Sequence, residues 1–212
     1  MSQTIHLKPS QIYHIWTHAN GNGNENLFRD EENYNFFLEK YSLHVEPVAE
    51  TFAYCLMPNH LHLMVRIKEE EEVLEFVRDK KSNRNLQGFG NLGGFSKVIS
   101  QQFSNLFNAY TKAINKVYDR KGSLFIPNFK RKRIDSDHYF GTLIAYIHNN
   151  PVHHGFVDHP KKWLHSSWHA YLLNRPTKIK RREGIEWFGN RSEFLRIHRE
   201  INMEKILSLF EE

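Results

Sequence analysis

The stretch Tyr54-Cys55-Leu56-Met57-Pro58-Asn59-His60-Leu61-His62-Leu63-Met64-Val65-Arg66-Ile67 decides the fold. Its second half alternates with period two. Leu61, Leu63, Val65 and Ile67 point one way, and His60, His62, Met64 and Arg66 point the other. That is a strand with one wholly aliphatic face, which must lie on a core. Pro58-Asn59 is a tight turn, because proline presets φ and asparagine tolerates the next position. The segment before it, from Val45 to Met57, carries another strand, and so short a turn makes the two an antiparallel hairpin. His60 and His62 project side by side, ~7 Å apart along the chain. Two neutral imidazoles so placed can converge on one cation. Two half-exposed strand histidines would show the same spacing.

On the N-terminal side, Gln11 to His18 alternates as a strand, and a loop rich in asparagine and glycine follows. Asp30 caps a helix to about His44, with Tyr34, Phe37, Leu38 and Tyr41 as its apolar stripe. On the C-terminal side, Glu69 to Glu72 starts a helix. Residues 80–94 are polar and glycine-rich and read as an inserted flexible loop. Phe95 to about Val117 is the longest helix, with Ile99, Phe103, Leu106, Phe107, Tyr110, Ile114 and Val117 on one face. Ser123 to Phe129 is the candidate fourth strand. A further helix runs from about His138 to Asn149, capped by Asp137 and stopped by Pro151 and Gly155. This order predicts an α+β fold: a ferredoxin-like antiparallel sheet with helices packed on one face, plus a C-terminal helical extension. The predicted division is a domain over 1–172 and a basic extension over 173–212.

The 212 residues carry 29 Lys and Arg against 24 Asp and Glu, a net charge of +5 that permits a polyanionic partner without demanding one. Cys55 is the single cysteine, which excludes an intramolecular disulfide and a cysteine-rich zinc site. The N-terminus lacks the pattern of a secretory signal, and no apolar run reaches the ~18 residues of a membrane span, so a cytoplasmic protein is expected.

Tyr110 sits on the apolar face of the long helix. That position suits a core residue. It also suits a phenol aimed at whatever the sheet displays, such as a cation-activated phosphate beside His60 and His62. Tyr118 is the second tyrosine candidate, and Asn115 lies on the same helix but well round from Tyr110. Arg120, Lys121, Lys130, Arg131, Lys132 and Arg133 form the densest basic stretch. Phe125 and Phe129 are interleaved with it, as in surfaces that stack unpaired bases. Lys178, Lys180, Arg181 and Arg182 form a weaker basic run.

The segment Tyr54 to Val65 resembles the HUH motif of insertion-sequence transposases with one catalytic tyrosine, in particular the REP-associated tyrosine transposases. Further matches follow in order: Tyr13-His14-Ile15; Tyr110 with Asn115 and Arg120-Lys121-Gly122-Ser123-Leu124-Phe125; Tyr146-Ile147-His148-Asn149-Asn150-Pro151-Val152 with Gly155-Phe156-Val157; and Ser166-Ser167-Trp168 with Ala170-Tyr171. The resemblance spans about residues 11–172. It implies His60 and His62 as metal ligands, Tyr110 as nucleophile, and magnesium or manganese as the metal, with no third ligand assigned. It implies nicking and joining of single-stranded DNA carrying a hairpin, through a 5′-phosphotyrosine intermediate, by a monomer or homodimer without membrane partners. A non-catalytic, domesticated hairpin-binding protein is the alternative. The chain departs from the family pattern at residues 80–94, at Asn128 in place of an arginine, and at Thr17-His18-Ala19-Asn20-Gly21 after the first strand.

Overall fold

The computed structural model describes residues 5–21, 25–80 and 92–210. Most of the predicted insertion at 80–94 lies outside the described residues. The elements run β1 (Ile12–His18), α1 (Glu31–His44), β2 (Ala49–Met57), β3 (His60–Ile67), α2 (Glu70–Lys80), α3 (Leu92–Val117), β4 (Lys130–Ile134), α4 (Asp137–His153), a 3-10 turn (Pro160–Lys162), α5 (Trp168–Leu172), α6 (Arg181–Glu186), α7 (Arg191–Glu200) and α8 (Met203–Phe210). The strands form one antiparallel sheet in the order β2-β3-β1-β4, the ferredoxin-like arrangement.

The hairpin forms as its alternation dictates, with Leu56 opposite Leu61 and Cys55 opposite His62. Leu61, Leu63, Val65 and Ile67 join Tyr13 and Ile15 of β1 in a core closed by Phe37 and Tyr41 of α1 and by Ile99, Phe103, Leu106, Tyr110 and Ile114 of α3. Asp30 starts α1 by accepting a hydrogen bond from the Asn33 amide at 2.9 Å.

The fourth strand is a correction. It is Lys130–Ile134, the basic run itself, and not Ser123 to Phe129. Those earlier residues instead strap the end of β1, where Ala19 bridges Phe125 and the Ile126 amide donates to the His18 carbonyl at 3.0 Å. The alternation is present in β4 but written in cations. Lys130, Lys132 and Ile134 pair with Trp16, His14 and Ile12, while Arg131 and Arg133 pair with Ile15 and Tyr13.

The second face of the sheet carries its own helical layer. There Ile12, Cys55, Met57 and Met64 pack with Leu143, Ile144, Tyr146 and Ile147 of α4, and with Trp168, Tyr171, Phe188 and Phe194 beyond it. The layer is integral: the fully buried Ile144, Ile147 and Phe194 each contribute about 1.5–3 kcal/mol of apolar burial. Residues 165–180 also line the outer edge of β2, where Leu56 donates to His165, Ser167 to Tyr54 and Lys180 to Thr51. Helix α4 passes through Pro151 and closes only at His154 and Gly155, whose φ of +73° permits the Phe156 amide to reach the Pro151 carbonyl. In the last turn proline forfeits only its own donor, so it does not stop the helix where the sequence suggests.

Candidate functional site

Strand parity places His60 and His62 on the face covered by α4. Both are buried, with 3% and 0% exposure. β1 brings two more imidazoles to the same face. The His14 and His62 rings are joined Nε2 to Nδ1 at 3.0 Å, and His18 stacks on His60 with 5.1 Å between centroids. His154, from the end of α4, meets the His60 ring at 4.8 Å. Asn59 Oδ1 accepts from His60 Nδ1 at 2.8 Å, and the Asn150 side chain is a further hydrogen-bond partner of the same ring. Desolvation, reinforced by the neighbouring His154 and His18, lowers His60 to about 3. Desolvation and the His14 ring hold His62 well below the ordinary imidazole range. Both rings are therefore neutral at pH 7, the state in which an imidazole ligates a metal.

The tyrosine that meets this cluster is Tyr146 of α4. Its ring stands edge-on to His62 at 5.6 Å and to His14 at 5.9 Å. Asn150 follows one helical turn later on the same face, and its Nδ2 donates to the Tyr146 carbonyl at 3.1 Å. The expected convergence of Tyr110 with the histidines does not occur. Tyr110 packs in the core beneath α1 and α3, across the sheet from His60 and His62, and donates its hydroxyl to the Leu27 carbonyl at 2.7 Å. Desolvation pushes its hydroxyl far above the usual phenol range. The physical reason is parity: α3 covers the aliphatic face of β3, and no residue of that helix can reach through the sheet. Tyr118 also stays on that side, bonded to Asp30 at 2.5 Å and Asn33 at 3.1 Å. The sequence held a signal for Tyr146 and Asn150 in their spacing of four within Tyr146 to Val152. Only the packing of α4 gives it meaning.

The basic residues divide. Lys130 and Lys132 share the histidine face, with Lys130 Nζ 5.9 Å above the Trp16 ring. Arg131 turns to the other face, donates to Ser100 Oγ at 2.8 Å and lies over Phe129. Arg133 pairs with Asp135 at 2.8 Å, and Lys121 is exposed. Arg120 is a clamp, pairing with Glu25 at 2.5 Å and also bonding Asn115. In the weaker run, Lys178 and Lys180 pair with Glu46 and Glu50, and Arg181 caps backbone carbonyls of 170 and 173. Among the described residues no group of three His, Cys, Asp or Glu side chains is arranged to hold a metal ion, and no helix is long and apolar enough to cross a membrane.

No family model matches the chain. A curated Haemophilus influenzae protein that carries the name of the REP-associated tyrosine transposases is 25% identical over 122 residues, 57% of this chain and 59% of that protein. The chain is similar to the REP-associated tyrosine transposases. A solved structure of such a transposase bound to a REP hairpin superposes with a TM-score of 0.58 at 13% identity, covering 83% of this chain and 88% of that one. This second likeness to the REP-associated tyrosine transposases is one of fold. The sequence relationship spans about three-fifths of the curated relative's length.

Proposed function

We propose that this chain nicks and rejoins single-stranded DNA at hairpins, with Tyr146 as the nucleophile. The observation that carries the reading is the edge-on approach of the Tyr146 ring to His62, at 5.6 Å inside a cluster of neutral imidazoles. The name of the curated relative and the hairpin bound by the solved one support the choice of substrate.

A divalent cation, magnesium or manganese, fits the donor set. His60 and His62 offer neutral nitrogens, and Asn150, whose Nδ2 is engaged with the Tyr146 carbonyl, would offer its amide oxygen, which leaves room for the water ligands such ions keep. The partners of the ring nitrogens, Asn59 for His60 and His14 for His62, hold the ring planes. When bound, the ion supplies polarisation of the scissile phosphate. The Tyr146 oxygen attacks phosphorus and its proton passes to solvent, while the bond from phosphorus to O3′ breaks and the departing 3′ oxygen takes a proton from solvent to become a hydroxyl. A 5′-phosphotyrosine results, and attack on it by another 3′-hydroxyl joins strands. Lys130 and Lys132 border the same face and would track the phosphate backbone. Tyr146 and His62 are both enclosed, so entry of a phosphate requires this cluster to open.

That enclosure favours a second reading, hairpin binding without cleavage. One experiment separates the two. Labelled hairpin DNA with a single-stranded flank is incubated with Mn²⁺ and run on a denaturing gel. The proposal expects a covalent adduct that is lost with chelator and with Tyr146→Phe. An adduct of normal yield from Tyr146→Phe rejects the nucleophile. Tight binding with no adduct establishes the second reading.

A further inference from the structure

Across the sheet from the histidines, α3 and the strap over residues 123–129 enclose a cavity of 340 Å³. Its walls are the rings of Phe107, Phe125 and Phe129. Polar groups enter from three sides: Ser100, Ser104 and Asn108 from successive turns of α3, Asn128 from the strap, and Thr17 from β1. No carboxylate lines it, and the Arg131 guanidinium stands at its border, fixed to Ser100 Oγ at 2.8 Å. Thr17 is the telling residue. It is 1% exposed, faces this cavity, and its hydroxyl has no hydrogen-bond partner among the described residues. An orphaned buried hydroxyl is destabilising, so a site that keeps one is built to receive a partner.

We infer that this cavity receives one unpaired nucleobase of the bound DNA strand. The inference rests on the proposed reading that the chain handles single-stranded DNA. A base is flat and apolar on its faces, which suits three phenyl walls. Its edge carries both donors and acceptors, which suits hydroxyls and carboxamides. The phosphates attached to it tolerate a rim with a cation and no anion. The position agrees: Thr17 faces the cavity while its neighbours Trp16 and His18 face the histidine side, so both surfaces meet at one end of β1. A strand crossing the β4 edge would pass from Lys130 and Lys132 to the strap and place one base behind it.

The test is a cycle between protein and DNA variants. Hairpin DNA with a single-stranded flank is prepared with an abasic site at each flank position in turn. Affinity is measured by fluorescence anisotropy for the unaltered protein, for Ser104→Phe, which fills the cavity from α3, and for Thr17→Val, which removes only the hydroxyl. One abasic position should weaken the unaltered protein about tenfold. Ser104→Phe should be weaker on intact DNA by a similar factor and indifferent to that same position. Thr17→Val should show a smaller loss at that position alone, which keeps the test valid if Ser104→Phe does not fold. Equal sensitivity of all three proteins at every position overturns the inference while leaving hairpin binding intact. Failure of the unaltered protein to bind intact hairpin DNA overturns the functional reading, and this inference with it.

Discussion

The rings of Tyr146 and His62 meet edge to face, with 85° between their planes. That relationship separates Tyr146, which meets the rings of His14 and His62, from Tyr110, which packs in the core on the other face of the sheet. It leaves Tyr110, the more conspicuous candidate in the sequence, across the sheet from the histidines, with its hydroxyl on the Leu27 carbonyl.

Tyr110→Phe should leave adduct formation intact and lower stability. The Leu27 carbonyl would lose its buried donor, a cost of about 1–2 kcal/mol, visible as a lower urea midpoint. Loss of the adduct at unchanged stability would instead return Tyr110 to the chemistry.

The two faces of β4 predict different phenotypes for adjacent cations. Lys130→Ala and Lys132→Ala should weaken hairpin binding and each reduce the slope of log affinity against log salt by about one. Arg131→Ala should mainly lower the melting temperature, because its guanidinium is tied to Ser100 and packed on Phe129. Salt titrations of the three variants check the pattern, and equal slopes for all of them would contradict it.

Gly184→Ala should destabilise the C-terminal layer. A Cβ there would stand within contact distance of the Tyr171 ring and clash with its hydroxyl, and that hydroxyl is held by the Phe52 carbonyl at 2.9 Å. Tyr171 is buried and cannot swing away, so the cost is about 1–3 kcal/mol. Thermal unfolding measures it, and an unchanged midpoint would show that α6 shifts freely.

A buried relay behind α4 makes stability fall with acid. Ser167 bonds to His148 at 2.7 Å, His148 to His198 at 2.9 Å, and His198 to the Phe194 carbonyl at 2.7 Å. Desolvation holds His148 well below its usual range and lowers His198 to about 4. An unfolded histidine titrates near about 6.5, so as pH falls the unfolded chain takes up protons first. The His198 contribution is fully present above about pH 6.5 and fades towards about pH 4, at up to about 1.4 kcal/mol per pH unit, and His148 acts in the same direction. Urea midpoints across that range should decline steadily, and a flat profile would mean that the rings titrate normally.

Much of this was legible in the residues. Leu61 to Ile67 announces its strand because one face is purely aliphatic, and Asp30 announces α1 because its carboxylate caps the first turn. Lys130 to Ile134 hides its strand, because charge replaces the apolar half of the pattern wherever a strand borders solvent. The site was half visible. His60 and His62 follow from period two, but His14 joins them only through the register that sets it opposite Met64. Tyr146 and Asn150 needed the knowledge that α4 folds back over the second face, a long-range packing choice that no local spacing records.

The end strand of the sheet also governs how copies of the chain treat one another. β4 closes the order β2-β3-β1-β4, and its far side pairs with no further strand among the described residues. Such a border attracts a second polypeptide, and like charge is a common defence. Four consecutive cations, Lys130 to Arg133, set any antiparallel twin against its own repulsion. Bound polyanion would cancel that repulsion, so crowding on long DNA should bring neighbouring chains within range of sheet-to-sheet association, and high salt without DNA should favour precipitation.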